Sequence, residues 1–244
     1  MSDPVLILAA GLGTRLGALT ADKPKAMVSL AGKPMIERIA ERLVEQGFRE
    51  FVINTHYKPE PLREHLNRLA PRLGFEWVES YEPVILGTGG AVAAARPLLG
   101  DRPFWIINCD VLPTFDLPEC EAWARQFARR SPQGLDGLLL LRSDPQAERY
   151  GSFDIDAVGR IVRMLREGPV PHRHRYMFTG IHWLSPRVHD FVRPEFGSIF
   201  DQYYLPAFRQ GLVFAGFDFT QPWLDLGTPE AIREATGWVE AGAL

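Results

Sequence analysis

An unbroken apolar run, Val5 to Ala10, leads straight into a glycine-bearing loop, Gly11-Leu12-Gly13-Thr14-Arg15, and Lys25 follows ten residues after Arg15. The run constrains the fold before anything else does. Apolar residues without polar alternation predict a strand covered on both faces, as in a parallel sheet flanked by helices. The glycines tolerate positive φ and let backbone N–H groups come close to a phosphate. Arg15 and Lys25 add two cations for a polyanion. Together these features point to a nucleoside triphosphate. A Walker A loop needs G-x-x-x-x-G-K-[ST], and the Rossmann fingerprint needs G-x-G-x-x-G leading into a helix. Gly11, Gly13 and Gly17 match neither spacing, and Lys25 follows a proline. Taken alone, the glycines read equally as a tight turn between strand and helix.

The rest of the first half alternates strand and helix. Pro34–Gln46 carries Met35, Ile36, Ile39, Ala40, Leu43 and Val44 on one stripe, an amphipathic helix with proline in its first turn and Gly47 at its end. Strands are predicted at Val5–Ala9, Phe51–Asn54, Phe75–Glu79 and Pro103–Asn108, with helices at Pro59–Leu69 and Gly89–Leu98. That rhythm implies a mostly parallel sheet with ligands at the carboxyl ends of its strands. After residue 135 the pattern changes. Strands are expected at Asp136–Leu141, Tyr150–Asp154, Ile161–Arg166, Tyr176–Trp183 and Val213–Phe219, and helices at Pro186–Arg193, Ile199–Arg209 and Pro229–Glu240. The expected fold is a single Rossmann-like three-layer α/β domain over residues 1–244 with a mostly parallel mixed sheet.

Charge and composition exclude several partner classes. A net charge of −3 without a basic stripe argues against nucleic acid and anionic membrane. No apolar stretch reaches the roughly 20 residues of a membrane span. Met-Ser-Asp-Pro at the start lacks the basic region of a signal peptide. Cys109 and Cys120 are too few and too irregular for a disulfide framework or a zinc site. A cytoplasmic location and a monomer or small homo-oligomer are expected.

Leu8-Ala9-Ala10-Gly11-x-Gly13-Thr14-Arg15-Leu16, then Leu19-Thr20 and Pro24-Lys25-x-Met27, resembles the signature of the sugar-1-phosphate nucleotidyltransferases. That resemblance implies an NTP and a sugar-1-phosphate as substrates, with NDP-sugar and pyrophosphate as products. Residues 1–115 would form the NTP-binding half, with Arg15 and Lys25 catalytic and Leu8, Ala10, Gly11, Gly13 and Thr14 around the nucleotide. Leu86-Gly87-Thr88-Gly89-Gly90-Ala91 resembles the family's segment beside the base, which assigns Gly87 and Thr88 there; Glu82 lies where relatives face the base with Gln or Glu. Asp110, in Asn108-Cys109-Asp110, and Asp225, in Trp223-Leu-Asp-Leu-Gly-Thr-Pro229, match the family's aspartates that hold Mg²⁺, a metal that takes one or two carboxylates plus phosphate oxygens. Read singly, Asp110 has the lesser alternative of a turn residue and Asp225 that of a helix N-terminal cap region. Cys109 stands where the family has Gly or Ala, a small buried neighbour that could confer sensitivity to thiol reagents.

Residues 116–244 would hold the sugar phosphate. Asn108, Tyr150-Gly151, Glu167 and Thr179-Gly180 match the family's sugar-side positions, Thr179 offering a hydroxyl and Gly180 room for a ring. The lysine that follows Glu167 in relatives is Gly168 here. The basic stretch His172 to Arg175 reads as a solvated loop, as the replacement for that lysine, or as a recogniser of an acidic sugar substituent. The short format resembles uridylyltransferases for muramate phosphate and guanylyltransferases for mannose or heptose phosphate. Two other readings stay open: a cytidylyltransferase for phosphocholine or another non-sugar phosphate, and a non-catalytic sensor of nucleotide or sugar phosphate.

Overall fold

The computed structural model describes residues 2–112, 114–144, 152–165 and 176–242. In chain order the elements are β1 (Val5–Leu8), β2 (Ser29–Leu30), β3 (Lys33–Pro34), α1 (Met35–Glu45), β4 (Glu50–Thr55), α2 (Glu60–Leu73), β5 (Glu76–Tyr81), α3 (Gly87–Leu99), β6 (Phe104–Asn108), α4 (Leu117–Arg130), β7 (Gly137–Ser143), β8 (Ser152–Ile155), β9 (Ile161–Leu165), β10 (Tyr176–Leu184), α5 (Leu205–Arg209), β11 (Phe214–Asp218) and α6 (Pro229–Glu240).

The main sheet runs β11-β7-β10-β6-β1-β4-β5, with β8 paired to β10 and β9 to β8; β2 and β3 form a separate ribbon. Along that path only β10 runs against the others, because it pairs antiparallel with both β6 and β7 while the remaining pairs are parallel. The expected mostly parallel mixed sheet is therefore present. β1 lies between β4 and β6 with Leu8 level with both Asn54 and Asn108. Three strands thus end on one line, and the site is built on it.

Alternation along β1 separates two cores. Val5, Ile7 and Ala9 pack with residues of α1, α2 and α4, while Leu6 packs with α3 and α5 on the opposite face. The apolar run of β1 is explained by this double coverage, each fully buried Leu or Ile contributing roughly 1.5–3 kcal/mol. A third, smaller cluster gathers Leu16, Val28, Leu30, Met35, Leu112, Leu226, Ile232 and Ala235 beneath α6. Among the described residues, no helix is long and apolar enough to cross a membrane.

Several elements differ from the sequence reading. α2 runs through Pro71 to Leu73 and stops where Gly74 turns left-handed at φ 74°. Where Pro186–Arg193 predicts a helix there is a 3₁₀ turn, Pro186–Asp190. Ile199–Arg209 splits into a π-helical turn at Phe200–Tyr204 and the short α5. β10 carries a bulge between Phe178 and His182. α4 and the β2–β3 ribbon were not anticipated.

Candidate functional site

The glycine loop folds back on itself. Gly13 takes φ 63°, and a Cβ there would lie 3.0 Å from Thr20 Cγ2 and 3.1 Å from Lys25 Cβ. The Thr20 hydroxyl donates to the carbonyls of Gly13 (3.2 Å) and Gly17 (3.1 Å), closing residues 14–20 into 3₁₀ turns. Thr14 and Arg15 stay exposed while Leu16 is buried in the third cluster. Lys25 opens the next turn after Pro24; it is itself buried, and its ammonium meets the Asp110 carboxylate just beyond β6.

Asp225 comes to the same place through main-chain pairing. Leu226 N–H donates to Asp110 O at 2.7 Å and Leu112 N–H to Leu224 O at 3.3 Å, forming an antiparallel bridge between Val111 and Asp225. Leu112 and Leu226 anchor this bridge in the same cluster as Leu16. Burial of three leucines, each flanking or nearly flanking a charged residue, brings Arg15, Asp110 and Asp225 together. Both terminal nitrogens of Arg15 lie 3.3 Å from Asp225 Oδ2. The guanidinium crosses Gly227 so closely that a Cβ there would be 2.3 Å from Nη2. Sequence reasoning passed over Gly227, although it stands inside the quoted Asp225 motif.

The site consequently holds two cation–carboxylate pairs side by side. Asp225 Oδ1 is buried without a hydrogen-bond partner. That orphaned hard oxygen beside a second carboxylate fits a divalent cation. Among the described residues no group of three or more His, Cys, Asp or Glu gathers around a metal position, so a cation held by this pair would complete its shell with substrate and water oxygens.

A cavity of about 180 Å³ reaches the Lys25–Asp110 pair, lined by Leu8, Ala10, Gly11, Lys25, Asn54, Glu82, Ile85, Gly87, Thr88, Asn108, Cys109 and Asp110. A larger one, about 420 Å³, lies between α1 and the Leu112 and Pro222 segments and contains none of the residues singled out from the sequence. Glu82 lines the smaller cavity but is fully buried and engaged with Asn54 Nδ2 (2.7 Å) and Leu86 N–H (2.9 Å). Asn54, absent from the sequence reading, accepts the N–H groups of Ala9 (2.6 Å) and Ala10 (3.3 Å). Its signal was its place at the end of a buried strand, where a polar residue must find partners.

The Gly87-Thr88-Gly89-Gly90 segment has a structural task as well. Gly89 N–H donates to Gly197 O (2.9 Å), Gly197 N–H to Leu86 O (3.0 Å), and Thr88 Oγ1 accepts from Ile199 N–H (2.8 Å). A Cβ on Gly90 would be 2.3 Å from Glu195 O. These glycines admit residues 195–199, and the Thr88 hydroxyl oxygen accepts one hydrogen bond from that segment.

On the expected sugar side the hydroxyl of Thr179 is not available: Thr179 is buried and donates to Leu140 O at 2.8 Å. Gly180, at φ 83°, makes room for Asn108, whose Nδ2 would be 2.6 Å from a Cβ there. Tyr150, Gly151, Glu167 and His172 to Arg175 lie outside the described residues. Cys109 is buried, and its burial, with the Asp110 carboxylate adjacent, pushes the thiol up to about 12. A thiol held protonated argues against the expected sensitivity to thiol reagents, because the thiolate is the reactive form.

Comparison with known proteins places the chain in a family. The chain is 29% identical over 234 residues to the mannose-1-phosphate guanylyltransferase catalytic subunit beta of Dictyostelium discoideum, covering 95% of this chain and 63% of the relative. It spans about three fifths of the length of the curated relatives it matches. HddC from Yersinia pseudotuberculosis, solved in complex with GMP-PN, superposes with a TM-score of 0.73 at 28% identity over 98% of this chain and all of that one. Apo UDP-glucose pyrophosphorylase shares the fold, with a TM-score of 0.82 at 18% identity over the whole of both chains. The profile of the nucleotidyl transferase family matches residues 4–241, and the chain belongs to that family.

Proposed function

We propose that this protein transfers a guanylyl group from GTP to a mannose- or heptose-type sugar-1-phosphate, releasing pyrophosphate. The observation that carries the reading is the pairing of Lys25 with Asp110 and Arg15 with Asp225 on adjacent main-chain segments at the strand ends. Two cations and two carboxylates beside a cavity match a polyanionic substrate that arrives with a divalent cation. The guanylyl donor is favoured by the Dictyostelium relative and by the GMP-PN complex of HddC, and a mannose-type acceptor by the Dictyostelium relative.

In the proposed reaction a phosphate oxygen of the sugar-1-phosphate forms a bond to the α-phosphorus. The bond from that phosphorus to the oxygen leading to the β-phosphate breaks, and pyrophosphate leaves with the electron pair. No general base is needed, because a phosphate monoester dianion is already nucleophilic at neutral pH. Positioning and charge stabilisation supply the catalysis. Lys25, buried and short of freedom, is suited to the α-phosphate, where charge accumulates. Arg15, exposed and forked, is suited to the β- and γ-phosphates. Asp110 and Asp225 are the residues to hold Mg²⁺, which would lower the repulsion between the two phosphates.

The test is pyrophosphate release in Mg²⁺ from GTP, UTP, CTP and dTTP, each with mannose-, heptose-, muramate- and glucose-1-phosphate and with phosphocholine. Release from GTP with a mannose or heptose phosphate, reduced on the order of 10²–10³-fold in K25A, is the expected result. Release confined to UTP with muramate phosphate would replace the donor and acceptor. Turnover only of CTP with phosphocholine would overturn the sugar reading, and NTP binding without release in any combination would overturn catalysis.

A further inference from the structure

We propose that Asn54 is a positioning residue: with Glu82 it forms a buried amide–carboxylate link that sets the two walls of the nucleotide cavity at a fixed separation. The proposal rests on the nucleotidyl-transfer reading of the site.

Asn54 is buried near the end of β4 and level with Leu8, the last residue of β1. Its Oδ1 accepts from Ala9 and Ala10 N–H, the first two donors after β1 ends. An oxygen taking two N–H donors fixes the amide orientation, so Nδ2 must face Glu82 Oε1, 2.7 Å away. Glu82 Oε2 accepts from Leu86 N–H at 2.9 Å, at the start of α3. The main chain of Glu82 is itself held, donating to Thr55 O (2.8 Å) and accepting from His56 Nδ1–H (2.7 Å). One continuous chain of hydrogen bonds therefore joins the loop that begins the phosphate site to the helix start beside it, and both walls line the same cavity.

A fully buried carboxylate is a costly way to join two loops. Burying it carries a desolvation penalty that a well-packed apolar pair would avoid. What the polar link adds is a single geometry: each of its atoms has one partner type, and sliding either wall leaves a buried donor or acceptor unmatched. A packed apolar contact would tolerate such sliding.

The chain can be tested by exchanging its chemistry. In N54D two carboxylates face each other. In E82Q the new amide must turn its NH₂ toward either Asn54 Nδ2 or Leu86 N–H. The double variant N54D/E82Q swaps amide and carboxylate, and every donor again meets an acceptor. GTP binding by calorimetry is measured for all three with KM for GTP, KM for the sugar phosphate and thermal unfolding. Each single variant is expected to weaken GTP binding and raise its KM by about tenfold or more, with less than threefold change in the sugar-phosphate KM. The double variant is expected to return within about threefold of wild type. Single variants that unfold at lower temperature yet bind GTP as wild type does would assign the link to stability alone and overturn the proposal. A double variant no better than the worse single would do the same. Should neither single fold, the double variant decides: it must fold and bind GTP within about threefold of wild type. Wild type that binds no nucleoside triphosphate would overturn the reading of the site, and this proposal with it, before any variant is compared.

Discussion

Lys25 and Arg15 hold their carboxylates in different surroundings, and that difference divides their expected roles. The Lys25 side chain is 9% exposed and sits against Asp110; the Arg15 side chain is 58% exposed and lies across Gly227 to Asp225. Removing either cation from a charge-stabilised transfer costs on the order of 10²–10³ in kcat, so K25A and R15A should each fall by that much in pyrophosphate release. R15K keeps the charge and loses the fork, and should lie between wild type and R15A. Gly227 permits the Arg15 geometry through space alone. G227A should displace the guanidinium, lowering kcat/KM for GTP about tenfold while the unfolding midpoint stays near wild type. Unchanged kinetics in G227A would mean that Arg15 does not need this path. Cys109, despite standing next to Asp110, should resist an aromatic disulfide at pH 8 until the protein is unfolded, because burial holds its thiol protonated.

At the scale of elements, the start of α3 is the tightest joint near the cavity. Residues 87–90 pass so close to 195–199 that a Cβ on Gly90 would overlap the Glu195 carbonyl, a main-chain atom that cannot rotate away. G90A should therefore destabilise the fold by roughly 1–3 kcal/mol, read as a lowered urea midpoint at unchanged slope; a neutral G90A would show that the 195–199 segment yields. This joint also shows where sequence reasoning stops. Val5–Leu8, α1 and α6 were legible because periodicity, Pro34 and Thr228-Pro229 act locally. The cations and aspartates were legible as a motif, but their pairing depends on Leu16, Leu112 and Leu226 sharing one cluster, which no local signal encodes. The inward turn of Thr179 was not legible for a related reason. Its hydroxyl turns inward to Leu140 O, and inward or outward on a bulged strand is fixed by neighbours distant in sequence. α4 was missed although Asp116, which caps Glu119 N–H at 3.0 Å, stands three residues before a glutamate, a local start signal.

At the scale of the molecule, among the described residues the sheet is continuous only through β10, which opposes its neighbours on the main path. His182 lies on that strand, 1% exposed, hydrogen-bonded to Tyr204 among Phe178 and neighbouring rings. Burial lowers its pKa to about 3, and burial likewise lowers those of His65 and His189. A histidine held neutral in the fold but free to protonate in the unfolded chain makes the unfolded state bind more protons between pH 6.5 and the folded value. Stability therefore falls as pH drops through that window. From pH 7 to pH 5 His182 alone should cost about 2 kcal/mol, with His65 and His189 adding in the same direction. Glu50 and Glu230, whose pKa values are lowered by hydrogen bonds from Arg102 and by main-chain and Arg233 contacts respectively, lose their contribution only as pH falls through the carboxylate range. The window between pH 5 and 7 thus belongs to the histidines. H182F should be less stable than wild type at pH 7, since buried Tyr204 loses its partner, yet show a shallower fall in urea midpoint from pH 7 to pH 5. Equal slopes in the two proteins would mean that the strand joining the halves of the sheet does not set the acid limit of the fold.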